Sequence, residues 1–200
     1  METRDEETRI DLLRHGEPVG GRRYRGQVDD ALSESGWEQM WNAVGADPEW
    51  QQIVSSPLQR CSAFAASLAE SLALPVQLES RFTEVGFGDW EGKTRDELDR
   101  LEPGQVARFY QDPVNNRPPG AEPLEEFTAR VQAAFNEILE RFTGQSVLVV
   151  AHAGVIRAIL AHTLDIPFTR MYRISVPTAG ISRLSTNRER GFNFISHGSS

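Results

Sequence analysis

A single cysteine, Cys61, occurs in the 200 residues. One thiol cannot close an internal bridge, so a disulfide framework is excluded and nothing points to an oxidising compartment. Long apolar runs are missing too. No stretch approaches the roughly 20 residues that cross a bilayer. Met1–Thr8 is charged and lacks the apolar centre of a secretory leader. These absences predict a cytoplasmic protein with no membrane partner. Positive charge is in deficit: 21 Lys and Arg face 29 Asp and Glu, for a formal charge of −8. That balance argues against nucleic acid as a partner, because the phosphate backbone rewards a basic surface. Small anions would also be repelled at long range. Any anion site must then be built locally, from converging arginines and backbone amides. The four histidines show no His-Glu-x-x-His or other close ligand spacing, so no metal and no cofactor are expected.

What is present suits one domain over residues 1–200, with 39% hydrophobic and 25% charged residues. A flexible tail is expected over 1–8, and a loop and helix region near the site over about 92–122. Its Pro/Gly-rich part, Asp112 to Pro123, is the one marked break in the chain. Short apolar runs suited to buried strands lie at Ile10–Leu13, Gln52–Ser55, Val76–Leu78 and Val147–Ala151. Later strands are expected at Tyr172–Val176 and Ile181–Leu184. Helical periodicity covers Ser33–Val44, Pro57–Leu72, Leu124–Arg141 and Val155–Leu164, and a Thr94…Glu97 capping box opens a further helix near Arg95. Strands alternating with helices predict an α/β fold: a three-layer α/β/α sandwich around a mostly parallel central sheet. Ligands of such sheets sit beyond the carboxyl ends of the strands.

Those ends carry the chemistry. Arg14-His15-Gly16-Glu17 follows the first strand, Ser55-Ser56-Pro57-Leu58-Gln59-Arg60 the second, and Ala151-His152-Ala153-Gly154 the fourth. Two histidines and two arginines therefore gather at one edge of the sheet. The set suits phosphoryl transfer, in which catalysis is mainly positioning and charge stabilisation. Arginine's fork binds phosphate bidentately. A neutral imidazole is nucleophilic near pH 7. Helix-start amides after His152 add donors for an anion. A general acid could come from Glu84, Asp89 or Glu91, which lie close together in sequence.

The ordered motifs resemble the histidine phosphatase, or phosphoglycerate-mutase-like, superfamily. The resemblance rests on Arg14-His15-Gly16, on Arg25 to Gly36, on Ser55 to Cys61, on Glu84-Val85-Gly86-Phe87-Gly88-Asp89-Trp90-Glu91-Gly92, and on Val149 to Arg157. It implies that His15 accepts the phosphoryl group and that Arg14, Arg60, His152 and the amide of Ala153 hold its oxygens. It assigns Glu84 to protonate the leaving oxygen and later activate water. A small-molecule phosphate ester is then the partner, and a homodimer is compatible with the pattern. Within the superfamily the chain looks most like α-ribazole-5′-phosphate phosphatases. Alternatives are a broad-specificity sugar-phosphate phosphatase, a cofactor-dependent phosphoglycerate mutase, or a non-catalytic phospho-ligand binder.

The departures from the pattern concern recognition. Pro18 stands at the usual threonine, Val19–Tyr24 lacks the asparagine of many mutases, and Ala153 replaces a glycine. Arg22, Arg23 and Arg25 could meet a second anionic group or form a solvated cluster. Trp37 and Trp41 are expected to pack, Trp90 to wall the site or to pack, and Cys61 to be structural. His162 and His197 receive no role.

Overall fold

A computed structural model describes residues 7–46, 48–187 and 189–198. Six strands form one sheet: β1 (Thr8–Arg14), β2 (Gln52–Ser55), β3 (Val76–Leu78), β4 (Ser146–Ala151), β5 (Ile181–Asn187) and β6 (Gly191–Gly198), in the order β3-β2-β4-β1-β5-β6. Four of them run parallel, with β4 between β1 and β2. β5 is antiparallel to β1, and β6 to β5.

Period-two alternation divides the core. Ile10, Leu12, Val147 and Val149 face helices α5 (Leu124–Arg141) and α6 (Ala153–Thr163), meeting Phe127, Phe135, Ile156 and Ile159. Leu13, Leu148 and Val150 face the other way, onto α1 (Glu34–Val44) and α2 (Gln59–Leu72), meeting Met40, Phe64 and Leu68. Both faces are covered, which is why β4 reads as the unbroken run Val-Leu-Val-Val-Ala. The architecture is the expected three-layer α/β/α sandwich. Short helices α3 (Arg95–Leu101) and α4 (Gln105–Gln111) fill the 92–122 region, and the Thr94–Glu97 capping box forms as expected. Among the described residues no helix is long and apolar enough to cross a membrane.

Two expectations change, and a third falls mostly outside the described residues. Tyr172–Val176 is not a strand. A 3-10 turn runs from Phe168 to Arg173 after Pro167, and the next carbonyls, of Ile174 and Val176, accept from Arg157 Nε (2.8 Å) and Arg14 Nη1 (2.7 Å) instead of a ladder. Strand β6 was not expected, because an edge strand that is half exposed along its length lacks a clear apolar period. The tail expected over 1–8 mostly lies outside the described residues. Its last member, Thr8, is buried, opens β1 and accepts from Gly144 N.

Two glycines set the Arg14–Gly16 turn against α1. A Cβ on Gly16 would lie 2.1 Å from Gly36 O, and one on Gly36 would lie 2.1 Å from Glu17 O. The backbones therefore touch, and Ser33 caps α1 at Gly36 N (3.0 Å) beside them. Gly36→Ala should cost about 1–3 kcal/mol, as overpacking does, because it displaces the Arg14–Gly16 turn. Urea unfolding checks this; an unchanged midpoint would mean the contact relaxes freely.

Candidate active site

The parallel strands deliver their ends side by side. His15 N donates to Ala151 O (3.0 Å), and Ser56 N to Val150 O (3.0 Å). These ladder bonds bring His15, Ser56 and His152 together, although His152 is far along the chain. The two imidazole centroids lie 5.2 Å apart.

His15 Nδ1 lies 2.7 Å from Gly16 O. A carbonyl can only accept, so Nδ1 carries the hydrogen and Nε2 keeps its lone pair. Burial holds this imidazole well below its usual pKa, and the guanidiniums of Arg60 and Arg14 push in the same direction. The ring is therefore neutral and nucleophilic at physiological pH.

Arg60 is only 1% exposed. Its Nη1 donates to Val28 O (2.7 Å), its Nη2 to Gly26 O (2.8 Å) and its Nε to His152 Nδ1 (3.2 Å). Because Nε is a donor, His152 Nδ1 must accept, and Nε2–H is left to donate to Ser56 Oγ (2.7 Å). His152 is fully buried, and its pKa is depressed by burial first and by Arg60 second. Both ring nitrogens are thus engaged, and the ring stands behind Arg60 instead of lining the cavity. Cys61 packs beside it. Its thiol is within 3.4 Å of Ala151 O, and burial raises its pKa. Arg14 anchors Nη1 on Val176 O and leaves a buried Nε without an acceptor. Burial, and next the neighbouring Arg157, lower its pKa to about 10, so it remains a cation.

The structure separates the three candidate acids. Glu84 lines the cavity, and its carboxylate accepts from Val85 N (2.9 Å) and Gly154 N (3.1 Å). A Cβ on Gly154 would come within 2.2 Å of Glu84 Oε1, so a larger residue there would push that carboxylate aside. Glu91 points away and ties Phe87 N (2.9 Å) to Gln27 N (3.1 Å). Asp89 is exposed and off the cavity. Ala153 is the first residue of α6 and borders the cavity, where its amide has no intrahelical acceptor.

These groups share a cavity of about 940 Å³ lined by seven arginines and three carboxylates. A positive site inside a chain of charge −8 meets the condition set by composition. Arg25 belongs to the frame more than to the opening: it is buried and binds Asp30 Oδ2 (2.9 Å) and Val19 O (2.8 Å). Arg22 and Arg95 are exposed at the rim, and Arg23 bonds Gly92 O (2.7 Å). Trp90 packs behind Tyr24 (5.1 Å) and Phe109 (5.4 Å), while Trp37 and Trp41 pack on Phe64. Sequence reasoning missed Tyr172, which lines the cavity from the 3-10 turn; no motif marked it.

Residues 10–196 match the model of the histidine phosphatase superfamily (branch 1). A bifunctional protein of Mycobacterium tuberculosis is 36% identical over 180 residues, 88% of this chain but 49% of that protein, so the chain spans about half of that relative. The solved structure of mycobacterial glucosyl-3-phosphoglycerate phosphatase superposes with TM-score 0.85 at 27% identity, covering 97% of this chain and 100% of that one. The α-ribazole phosphatase of Shigella flexneri gives 0.82 at 26% identity, covering 96% of each.

Two histidines buried in neutral form make folding pH-dependent. Below about pH 6.5 the unfolded imidazoles take up protons and the folded ones do not, so stability is full above that pH and falls as pH drops. Each histidine contributes at most about 1.4 kcal/mol per pH unit. Urea unfolding of the ligand-free protein between about pH 7.5 and pH 5.5 should show this loss, with a shallower slope in His152→Gln. An equal slope in the variant would mean that His152 protonates in the folded state.

Proposed function

The chain belongs to the histidine phosphatase superfamily (branch 1), and on that premise we propose that it hydrolyses small phosphate monoesters through a phosphohistidine at His15. The observation that carries this reading is the Nδ1–Gly16 O hydrogen bond. It fixes the tautomer and frees Nε2 in a cavity shared with Arg14, Arg60 and Glu84. Nε2 attacks phosphorus as the bond to the ester oxygen breaks, and a protonated Glu84 gives its proton to that oxygen, releasing the alcohol. Water then attacks phospho-His15, its proton passes to the Glu84 carboxylate, and inorganic phosphate leaves. Arg14, Arg60 and the Ala153 amide stabilise the equatorial oxygens. His152 holds Arg60 in place through its acceptor nitrogen.

The finer reading is α-ribazole 5′-phosphate as substrate. It is supported by the motif pattern, by the likeness to the Shigella protein, and by aromatic surfaces of Tyr24 and Tyr110 suited to a flat base. A cytoplasmic setting is proposed with it, in keeping with a buried free thiol at Cys61. Turnover of a panel of phosphorylated metabolites that includes this ester tests the choice.

His15→Ala should abolish turnover and the acid-labile, alkali-stable label left by a radioactive ester; labelling that persists in the variant would move the nucleophile elsewhere. Glu84→Gln should lose about 10²-fold or more in phosphorylation rate with an alkyl phosphate and far less with p-nitrophenyl phosphate, whose leaving group needs no proton. Equal losses for the two esters in pre-steady-state kinetics would reject Glu84 as the acid.

A further inference from the structure

The segment that carries Glu84 belongs to no helix or strand: residues 84–87 lie between 3-10 turns at Ser80–Phe82 and Gly88–Trp90. No ladder fixes the backbone there, so its polar groups must find other partners. Arg130 of α5 and Glu122, just before that helix, supply them. Arg130 binds Glu122 through two bonds, Nε to Oε1 (2.7 Å) and Nη2 to Oε2 (2.9 Å). Its remaining hydrogens go to Arg81 O, to Thr83 O (2.9 Å) and to Glu84 O (3.4 Å). All five guanidinium donors are thereby used. Glu122 Oε2 accepts from Gly86 N (3.1 Å), and Glu122 N donates to Gly86 O (3.1 Å). The guanidinium also lies over the Phe127 ring, 4.8 Å from its centroid.

Neither residue lines the cavity. Their side chains are 21% and 19% exposed, and each charge has its counter-ion and further hydrogen bonds, as a part-buried pair requires. The pair holds the chain on both sides of Glu84. Carbonyls of residues 81, 83 and 84 are bound on one side, and both polar backbone groups of Gly86 on the other. Held so, the Glu84 carboxylate reaches from Val85 N to Gly154 N at the cavity wall. Resting on the hydrolase reading above, we propose that Arg130 and Glu122 are positioning residues for Glu84, gripping its backbone from outside the cavity so that its carboxyl meets the leaving oxygen. Proton transfer tolerates little displacement: a shift of about 1 Å costs on the order of 10²-fold in rate. Arg130→Lys keeps the charge and loses the planar fork that spans these acceptors.

Lost positioning has a signature that lost stability lacks. Arg130→Lys should lower the phosphorylation rate on ribose 5-phosphate about 10- to 100-fold. The rate on p-nitrophenyl phosphate should fall less than about 3-fold, because its leaving group needs no proton. In a Glu84→Gln background Arg130→Lys should change neither rate by more than about 2-fold, since the group it positions is already gone. Equal losses on the two esters in Arg130→Lys, or no loss on either, overturn the proposal, and so does a full further loss in the double variant. If Arg130→Lys does not fold, the same comparisons with Glu122→Gln decide. If Glu84→Gln itself shows no leaving-group dependence, or wild type turns over no alkyl ester, the acid assignment or the hydrolase reading fails instead, and amide exchange decides the positioning. Gly154 N, in the first turn of α6, has no intrahelical acceptor and donates to Glu84. Its exchange should quicken about 3- to 10-fold in Arg130→Lys or Glu122→Gln, while Val149 N in β4 keeps its rate. Unchanged exchange at Gly154, or an equal rise at both amides, overturns the proposal.

Discussion

The guanidinium of Arg60 is buried and, among the described residues, has no carboxylate beside it; its partners are two carbonyls and an imidazole nitrogen. An unpaired buried cation is costly in free energy. The surrounding structure is arranged to bear it. The loop carrying Gly26 and Val28 turns both carbonyls inward, and Arg25 braces that loop through Asp30. His152 must stay neutral to accept from Nε, and Ser56 takes its other hydrogen. In the proposed reaction the charge left over is what an incoming phosphoryl group meets.

The same constraint explains the neutral imidazole of His15. Two guanidiniums and the loss of water around His15 penalise an imidazolium, so the ring keeps the lone pair that attack requires. In the proposed reaction nucleophile activation and anion binding therefore come from one arrangement of charge. Glu84, the proposed acid, is held separately, on two backbone amides, with α6 supplying one of them. Gly154 allows that approach, just as Gly16 and Gly36 allow the nucleophile turn to rest on α1.

Around this centre the cavity divides by task. In the proposed reaction Arg14, Arg60 and the start of α6 serve the phosphoryl group. The aromatic cluster around Phe109 stiffens the opposite wall and carries Tyr172 to the edge of the site. The carbonyls just beyond the 3-10 turn that presents Tyr172 are held by Arg157 and Arg14, so residues that line the cavity also fix the backbone beside it.

Much of this was legible in the chain alone. Buried strands of a parallel sheet read as apolar runs, and the polar residues at their ends mark the site, so β1, β2, β4 and the set Arg14, His15, Arg60 and His152 follow from local pattern and motif order. The capping box of α3 is local as well. Tertiary structure decided what depends on partners distant in sequence. It placed Glu84 at the cavity and Glu91 off it, because only a folded chain brings Gly154 to one and Gln27 to the other. It turned His152 away from the cavity toward Arg60, and it made Tyr172–Val176 a turn with its neighbouring carbonyls bound to arginines. Motif order records which side chains converge; hydrogen bonds across long sequence separations decide which atom of each is left free to react.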